Sequence, residues 1–419
     1  MDKIVIQGGR KLKGTVEVSG AKNAALPILF ASILTEGWNQ FHKIPELRDI
    51  NTTCRLLSKL GLMIEREKGS TRVSSNRMRS YTATYDLVKT MRASVLVMGP
   101  LLARVKKAKV SLPGGCAIGA RPINLHLKAF EQMGARIEIN QGYVVAHTKK
   151  LHGARIHFDT VTVTGTENVM MAAVLANGET IIENAAQEPE VTDLADVLTK
   201  MGAQIQGAGT NTITIQGVKE LRGCEHNVIP DRIEAGTFLI AAAMTSGDVR
   251  IQGVPPSYLE ALIIKLREAG VGITEEADAI HVVGHLPVKA VDLITAPFPG
   301  FATDFQAQFM ALMSTAEGTS VITENIFENR FLHAQELTRM GANIRIEGRK
   351  AIIQGVPQLS GAPVMASDLR ASAALIIAGL MAKGITEIHR VYHIDRGYEG
   401  IEKKLRKLGA RIKRMKVKF

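Results

Sequence analysis

The sequence predicts an α/β protein of two pseudo-symmetric domains, each built from three copies of one unit. Three observations carry this. A short pattern recurs six times along 419 residues. Each recurrence is accompanied by a helix of small apolar residues. Short β-prone runs follow those helices. Internal repeats at a fixed period decide an architecture before any single residue does.

The recurring pattern is a helical stretch, a glycine, then a β-prone run. It reads LLSKLGLMI from Leu56, FEQMGARIEI from Phe130 and LTKMGAQIQ from Leu198. It continues as KLREAGVGI from Lys265, LTRMGANIRI from Leu337 and LRKLGARIKR from Leu405. The shared glycines are Gly61, Gly134, Gly202, Gly270, Gly341 and Gly409, spaced 68 to 73 residues apart. A glycine there predicts a helix that ends by entering the left-handed conformation.

Upstream of these lie AKNAALPILFASIL from Ala21, RASVLVMGPLLA from Arg92 and ENVMMAAVLA from Glu167. EAGTFLIAAAM from Glu234, DFQAQFMALM from Asp304 and LRASAALIIAGLMA from Leu369 complete the set. Helices apolar nearly all round belong in an interior. Runs such as GETIIENA from Gly178 and GTSVITENI from Gly318 read as strands. Single cores rarely grow past about 250–300 residues, so six units split into two domains of three. The break falls near Ile229-Pro230, after the third unit. A solenoid is the alternative reading; one buried helix per unit favours closed domains with a ligand cleft between them. The opening segment, Met1 to Arg10, reads as a short strand ending in Gly8-Gly9 and fits either domain.

The bulk composition narrows the function. Hydrophobic content of 46% with 22% charged residues fits a globular protein. No apolar run is long enough to span a bilayer, and the first residues lack the build of a signal peptide. Three cysteines, Cys54, Cys116 and Cys224, make no disulfide framework and point to a reducing cytoplasm. The net charge of +12 invites a nucleic-acid reading. Nine of the basic residues, however, lie between Lys403 and the C-terminus with no acid among them, the pattern of a solvated face. With aromatics at 5% there is no stacking platform, so nucleic acid is the weaker reading.

The chemistry-bearing residues stand at element edges. In VSLPGGCAIGARPINL, from Val110, three glycines surround Cys116 and Arg121 follows. That predicts an exposed loop whose thiol can move a proton or attack, or else a small residue placed by chance. Cys54, in a helical pattern, and Cys224, in a short turn, read as inert. Lys22, Arg92, Arg330, Arg370 and Arg396 sit at the ends of elements rather than on solvated faces. Each alone reads as a surface or helix-end residue; together they suit one anionic ligand, since guanidinium matches phosphate and carboxylate. Asp304, just ahead of an apolar helix, is a helix cap, a catalytic group, or both. Asp231 and Asp395 read as structural. No metal-ligand spacing, Walker loop or dinucleotide fingerprint is present, so neither metal nor cofactor is indicated.

These motifs (KNAALP, VKTMRAS, LPGGCAIGARP, TDFQAQF, FENRF, DLRAS and HIDRGY) make the whole chain resemble the enolpyruvyl transferase family, in its UDP-N-acetylglucosamine 1-carboxyvinyltransferase branch. The resemblance implies two inside-out α/β barrels of three repeats, residues 22–229 and residues 1–21 with 230–419. It implies transfer of the enolpyruvyl group of phosphoenolpyruvate to the 3-hydroxyl of UDP-N-acetylglucosamine, with release of phosphate, as the first committed step of peptidoglycan synthesis. By the same resemblance Cys116 is the proton donor. Lys22 and Asn23 contact phosphoenolpyruvate, and Arg92 with Arg121, Pro122, Ile123, Asn124 and Leu125 hold the UDP-sugar. Asp304 takes the sugar hydroxyl proton, and Ile326 makes a backbone contact to the sugar nucleotide. Arg330, Arg370 and Arg396 face the phosphoenolpyruvate carboxylate and phosphate. Thr160 stands where some members carry Lys, in the segment to Gly165, and Asn124 where Asp is often found. Two rivals remain: carboxyvinyl transfer to shikimate 3-phosphate, whose enzymes share the fold but lack the Cys loop, and a non-catalytic repeat scaffold that binds nucleic acid. Oligomeric state is not readable.

Overall fold

A computed structural model describes residues 2–89, 91–112 and 123–416. Backbone contacts divide the chain into two compact units, one within residues 20–229 and the other formed by residues 2–19 with 230–416.

In the first unit three helices occupy the interior: α1 (Lys22–Ala31), α2 (Met98–Val105) and α3 (Val163–Ala173). In the second unit the equivalents are α4 (Arg232–Met244), α5 (Thr303–Met313) and α6 (Leu369–Met381), which pack on one another. Burial is nearly complete: every residue of α4 is buried. Small residues such as the run Ala241 to Ala243 allow this close approach, and Met and Phe fill the remaining space. Each helix thus removes its whole circumference from water, the arrangement its unbroken apolar sequence requires.

Sheets surround the helices. Among the described residues each unit has three four-stranded sheets with one plan. An example is the sheet 225–227, 38–42, 70–74, 63–67. Its first pair is parallel and the other two are antiparallel. The parallel edge strand comes from the neighbouring repeat, so the three repeats close in a ring: Glu225–Asn227 returns to pair with Trp38–His42. In the second unit the N-terminus completes the plan. Asp2–Gln7 lies antiparallel between Ile385–His389 and Arg411–Lys416, and Lys13–Glu17 lies parallel to Asp248–Gln252.

The six outer helices end as the repeat predicts. All six shared glycines take positive φ, from 88° to 108°. After Arg48–Leu60, the Leu62 N–H reaches back to the Leu57 carbonyl at 3.0 Å, closing a Schellman turn. Two of these sites separate backbone strain from crowding. A Cβ at Gly202 meets nothing within 4 Å, whereas one at Gly61 lies 2.7 Å from the Arg77 carbonyl oxygen. Gly202→Ala is therefore expected to cost about 1–2 kcal/mol, the left-handed penalty alone. Gly61→Ala should cost more, because backbone must also shift. Urea unfolding midpoints with unchanged slopes check the order.

Candidate active site

The second unit brings Asp304, Arg330 and Arg370 into a single cluster. Asp304 lies in the first turn of α5, but it does not cap that helix: the cap position is Ala302. The carboxylate turns instead to two guanidiniums. Arg330 Nη2 and Arg370 Nε each donate to Asp304 Oδ1 at 2.9 Å. Both arginine side chains are buried, at 4% and 5% exposure, while Asp304 keeps 29%. A buried charge is tolerable only when paired, and here one carboxylate serves two cations. These three side chains sum to one positive charge, and Asp368 and Asp231 also act on the two arginines.

The electrostatics follow from that imbalance. Burial by itself would raise the Asp304 carboxyl, but Arg370 and Arg330 outweigh it and hold it well below the usual range. Burial would lower the Arg370 guanidinium, and Asp304, with Tyr398 and Asp231, more than reverses this and keeps it charged. Arg330 also lies over the Phe327 ring, 5.3 Å from its centroid. Behind it, His333 is fully enclosed; burial pulls it down to about 4, so it stays neutral, and its Nε2 has no hydrogen-bond partner.

Other polar residues of the second unit have partners of their own. Asp368 caps α6 by accepting from the Arg370 and Ala371 amides at 2.8 and 3.1 Å. Asp231 caps α4 in the same way, and Asp395 pairs with Arg414 at 2.6 Å, both structural roles. The Ile326 amide donates to Glu324 Oε1 at 2.8 Å. Arg396 ends the short 3-10 segment Val391–Arg396 and is half-buried.

The first unit holds a separate set. Lys22 opens α1 with Asn23 beside it, and its Nζ stands 3.6 Å from Asp49 Oδ2, both largely buried. Arg92 opens a 3-10 turn, Arg92–Val97, that leads into α2. Ile123, Asn124 and Leu125 sit at the start of the helix Asn124–Gln132, with Asn124 exposed. In the Thr160–Gly165 segment, Thr162 caps α3 by accepting from the Gly165 amide at 3.1 Å. Cys116, Arg121 and Pro122 lie outside the described residues. Cys54 is buried in its helix, and burial raises its thiol; burial also raises Cys224, to about 11. Both are poor nucleophiles and poor acids near neutral pH.

Several polar groups were not singled out by the sequence. His126 is buried, with Nδ1 3.0 Å from Asn168 Nδ2 and Nε2 3.4 Å from Thr164 Oγ1; burial lowers it to about 4. It ties the 124–132 helix to the start of α3. Glu167 is driven well above the carboxylate range by burial and then by Glu190 and Glu188. Thr237, Gln308 and Tyr398 form a hydrogen-bonded group behind Arg370. The available signal was a polar residue inside an otherwise apolar helix, as in EAGTFLIAAAM and DFQAQFMALM.

No helix among the described residues is long and apolar enough to cross a membrane. A family model described as EPSP synthase (3-phosphoshikimate 1-carboxyvinyltransferase) matches residues 6–405. A UDP-N-acetylglucosamine 1-carboxyvinyltransferase of Desulfatibacillum aliphaticivorans is 59% identical over 99% of this chain and 100% of the relative. One from Geobacter metallireducens is 60% identical with the same coverage. Among solved structures, the enolpyruvyl transferase NikO from Streptomyces tendae superposes with a TM-score of 0.88 at 24% identity, over 99% of each chain. An EPSP synthase of Acinetobacter baumannii gives 0.77 at 21%, over 99% of this chain and 100% of that one. The fold is that of the enolpyruvyl transferases, and the chain belongs to the EPSP synthase (3-phosphoshikimate 1-carboxyvinyltransferase) family, where its 59% and 60% identical relatives are UDP-N-acetylglucosamine 1-carboxyvinyltransferases.

Proposed function

We propose that this enzyme transfers the enolpyruvyl group of phosphoenolpyruvate to the 3-hydroxyl of UDP-N-acetylglucosamine, in a reducing cytoplasm. The observation that carries the reading is Asp304 held by two buried arginines that exceed it in charge. Two buried guanidiniums sharing one carboxylate suit an anionic substrate and a hydroxyl that must lose a proton. The domains of the reading are residues 22–229 and residues 1–21 with 230–419.

The reaction is an addition followed by an elimination. The sugar oxygen bonds to C2 of phosphoenolpyruvate as C3 gains a proton. Then the C2–O bond to phosphate breaks as C3 loses a proton and the double bond returns. The vinyl carbon is a poor electrophile until C3 is protonated, so a positioned acid is required; Cys116 fills that role. Asp304 accepts the hydroxyl proton. Phosphoenolpyruvate carries about three negative charges near neutral pH, given a last phosphate pKa near 6. Lys22, Asn23, Arg121, Arg330, Arg370 and Arg396 contact and neutralise it. Arg92, residues 121–125 and the Ile326 backbone hold the UDP-sugar.

An anionic substrate also answers the weakness of Asp304 as a base. A carboxylate held low by two guanidiniums takes up a proton reluctantly. When phosphoenolpyruvate draws on Arg330 and Arg370, their hold on Asp304 weakens and its basicity rises as the hydroxyl arrives. The test is phosphate release by the purified protein. Release with UDP-N-acetylglucosamine and phosphoenolpyruvate is expected, and none when shikimate 3-phosphate replaces the sugar nucleotide. Release with shikimate 3-phosphate alone would transfer the assignment to that acceptor.

A further inference from the structure

Three elements of the second unit meet at the outer helix Ile401–Lys407. It packs on the edge strand Arg411–Lys416 on one side and on the edge strand Lys13–Glu17 on the other. The Lys13 amide donates to the Leu408 carbonyl at 2.9 Å, and the Lys404 ammonium donates to the Glu17 carbonyl at 3.0 Å, so the three form one continuous surface. The helix buries Ile401, Glu402 and Leu405 and turns Lys403, Arg406 and Lys407 to solvent. Arg411 and Lys413 are exposed on one flank; Lys13, with Arg10 and Lys11 just ahead of it in the chain, is exposed on the other.

These eight cations are not neutralised from within. Lys404 is bound to Glu234, and Arg414 to Asp2, Asp395 and Glu402. Among the described residues the exposed eight have no ion pair. Exposed acids stand only at the Lys13 end of the band: Glu17, and Asp248, which His281 engages at 2.7 Å. A surface of one sign attracts an anionic partner.

The flanking sheet says which kind. Ile4 and Ile6 are buried on the side that packs against α6, so strand alternation turns Lys3, Val5 and Gln7 outward. Their partners in register on that outer face are Met415, Lys413 and Arg411, and Ile385 lies opposite Gln7 on the other side. Met415 is 38% exposed and Ile385 58%. Lys3 is paired with Glu387 at 2.8 Å. Nucleic-acid phosphates offer nothing to apolar tips, and the aromatic platforms on which bases stack are scarce, at 5% of the chain. A bilayer surface rewards both features, since anionic headgroups take the cations and the interfacial layer takes the apolar tips.

We propose that the band formed by Arg10 to Lys13, the helix Ile401–Lys407 and the outer face of Arg411–Lys416 docks this protein peripherally on an anionic phospholipid bilayer.

The experiment is sedimentation of the full-length protein with phosphatidylcholine vesicles, with and without phosphatidylglycerol. Binding is expected only with phosphatidylglycerol, and it should be lost at about 1 M salt, where the screening length falls to about 3 Å. Each basic residue near such a surface is worth about fivefold in partitioning, so Lys403→Glu, Lys407→Glu and Lys413→Glu together should lower it by about 100-fold or more. Lys68→Glu, Lys149→Glu and Lys150→Glu, exposed on the first unit, change the net charge equally and should lower it far less. All six positions are exposed, and unchanged urea midpoints show that both variants fold. No binding, equal binding to the two kinds of vesicle, or equal losses in the two triple variants would overturn the proposal. Tighter retention of a random-sequence RNA than of the vesicles, at the same ionic strength, would give the surface to nucleic acid and overturn it as well.

Discussion

Cys116→Ala should abolish turnover, while Cys54→Ala and Cys224→Ala retain it. The argument is one of acidity and access. Of the three thiols, two are raised by burial, one of them to about 11, and neither can hand over a proton at a useful rate. Only Cys116 has a glycine-rich sequence setting with a cation, Arg121, close in the chain. A positioned general acid contributes about 10²- to 10⁴-fold, and addition to the vinyl carbon depends on it. The loss in phosphate release should reach that size or more. An epoxide of the type that alkylates this family's cysteine should add mass to Cys116 and to no other. Label on Cys54 or Cys224, or turnover by Cys116→Ala near the wild-type rate, would remove Cys116 from the reaction.

Asp304→Asn should lower kcat by about 10²- to 10⁴-fold, the range for losing a general base, with the UDP-sugar KM less affected. It should also destabilise the fold. Two buried guanidiniums lose their shared anion, a change that costs on the order of 3 kcal/mol when a buried pair is broken from one side. The pH dependence has a fixed sign. The folded-state carboxyl is depressed, so its contribution to stability is complete above the ordinary value of 3.8 and is lost as pH falls through the lower folded value. Chemical denaturation at descending pH should therefore bring the wild type and Asp304→Asn closer together below about pH 4, the ordinary carboxylate range. Curves that stay parallel would show that Asp304 is not the doubly paired anion described here.

The repeat made most of the architecture legible. A glycine after each outer helix and an apolar inner helix are local demands, and local demands are written in consecutive residues. The cluster was legible only in part. Asp304, Arg330 and Arg370 stood out because charge at the edge of an apolar segment is expensive unless used. Asp304 was ambiguous, since an aspartate ahead of a helix reads equally as a cap; the deciding fact, that two arginines 26 and 66 residues away converge on one of its oxygens, is tertiary. Tyr398, Thr237 and Gln308 were missed for the same reason. Thr237 stands on α4, Gln308 on α5 and Tyr398 just after the segment Val391–Arg396, and only tertiary packing makes them a group.

The place of the first strand bears on how the molecule is made. Asp2–Gln7 is bounded by Ile385–His389 on one side and Arg411–Lys416 on the other. On the ribosome it emerges ahead of both neighbours, and Arg411–Lys416 follows about 20–80 s later at 5–20 residues per second. Residues 20–229 need not wait, because Glu225–Asn227 pairs within that stretch. The nascent chain thus carries one finished body while the β-prone hexapeptide upstream of it is held without its partners. A truncation before Arg411 should leave the early-made body intact and expose that hexapeptide permanently, a ready nucleus for aggregation.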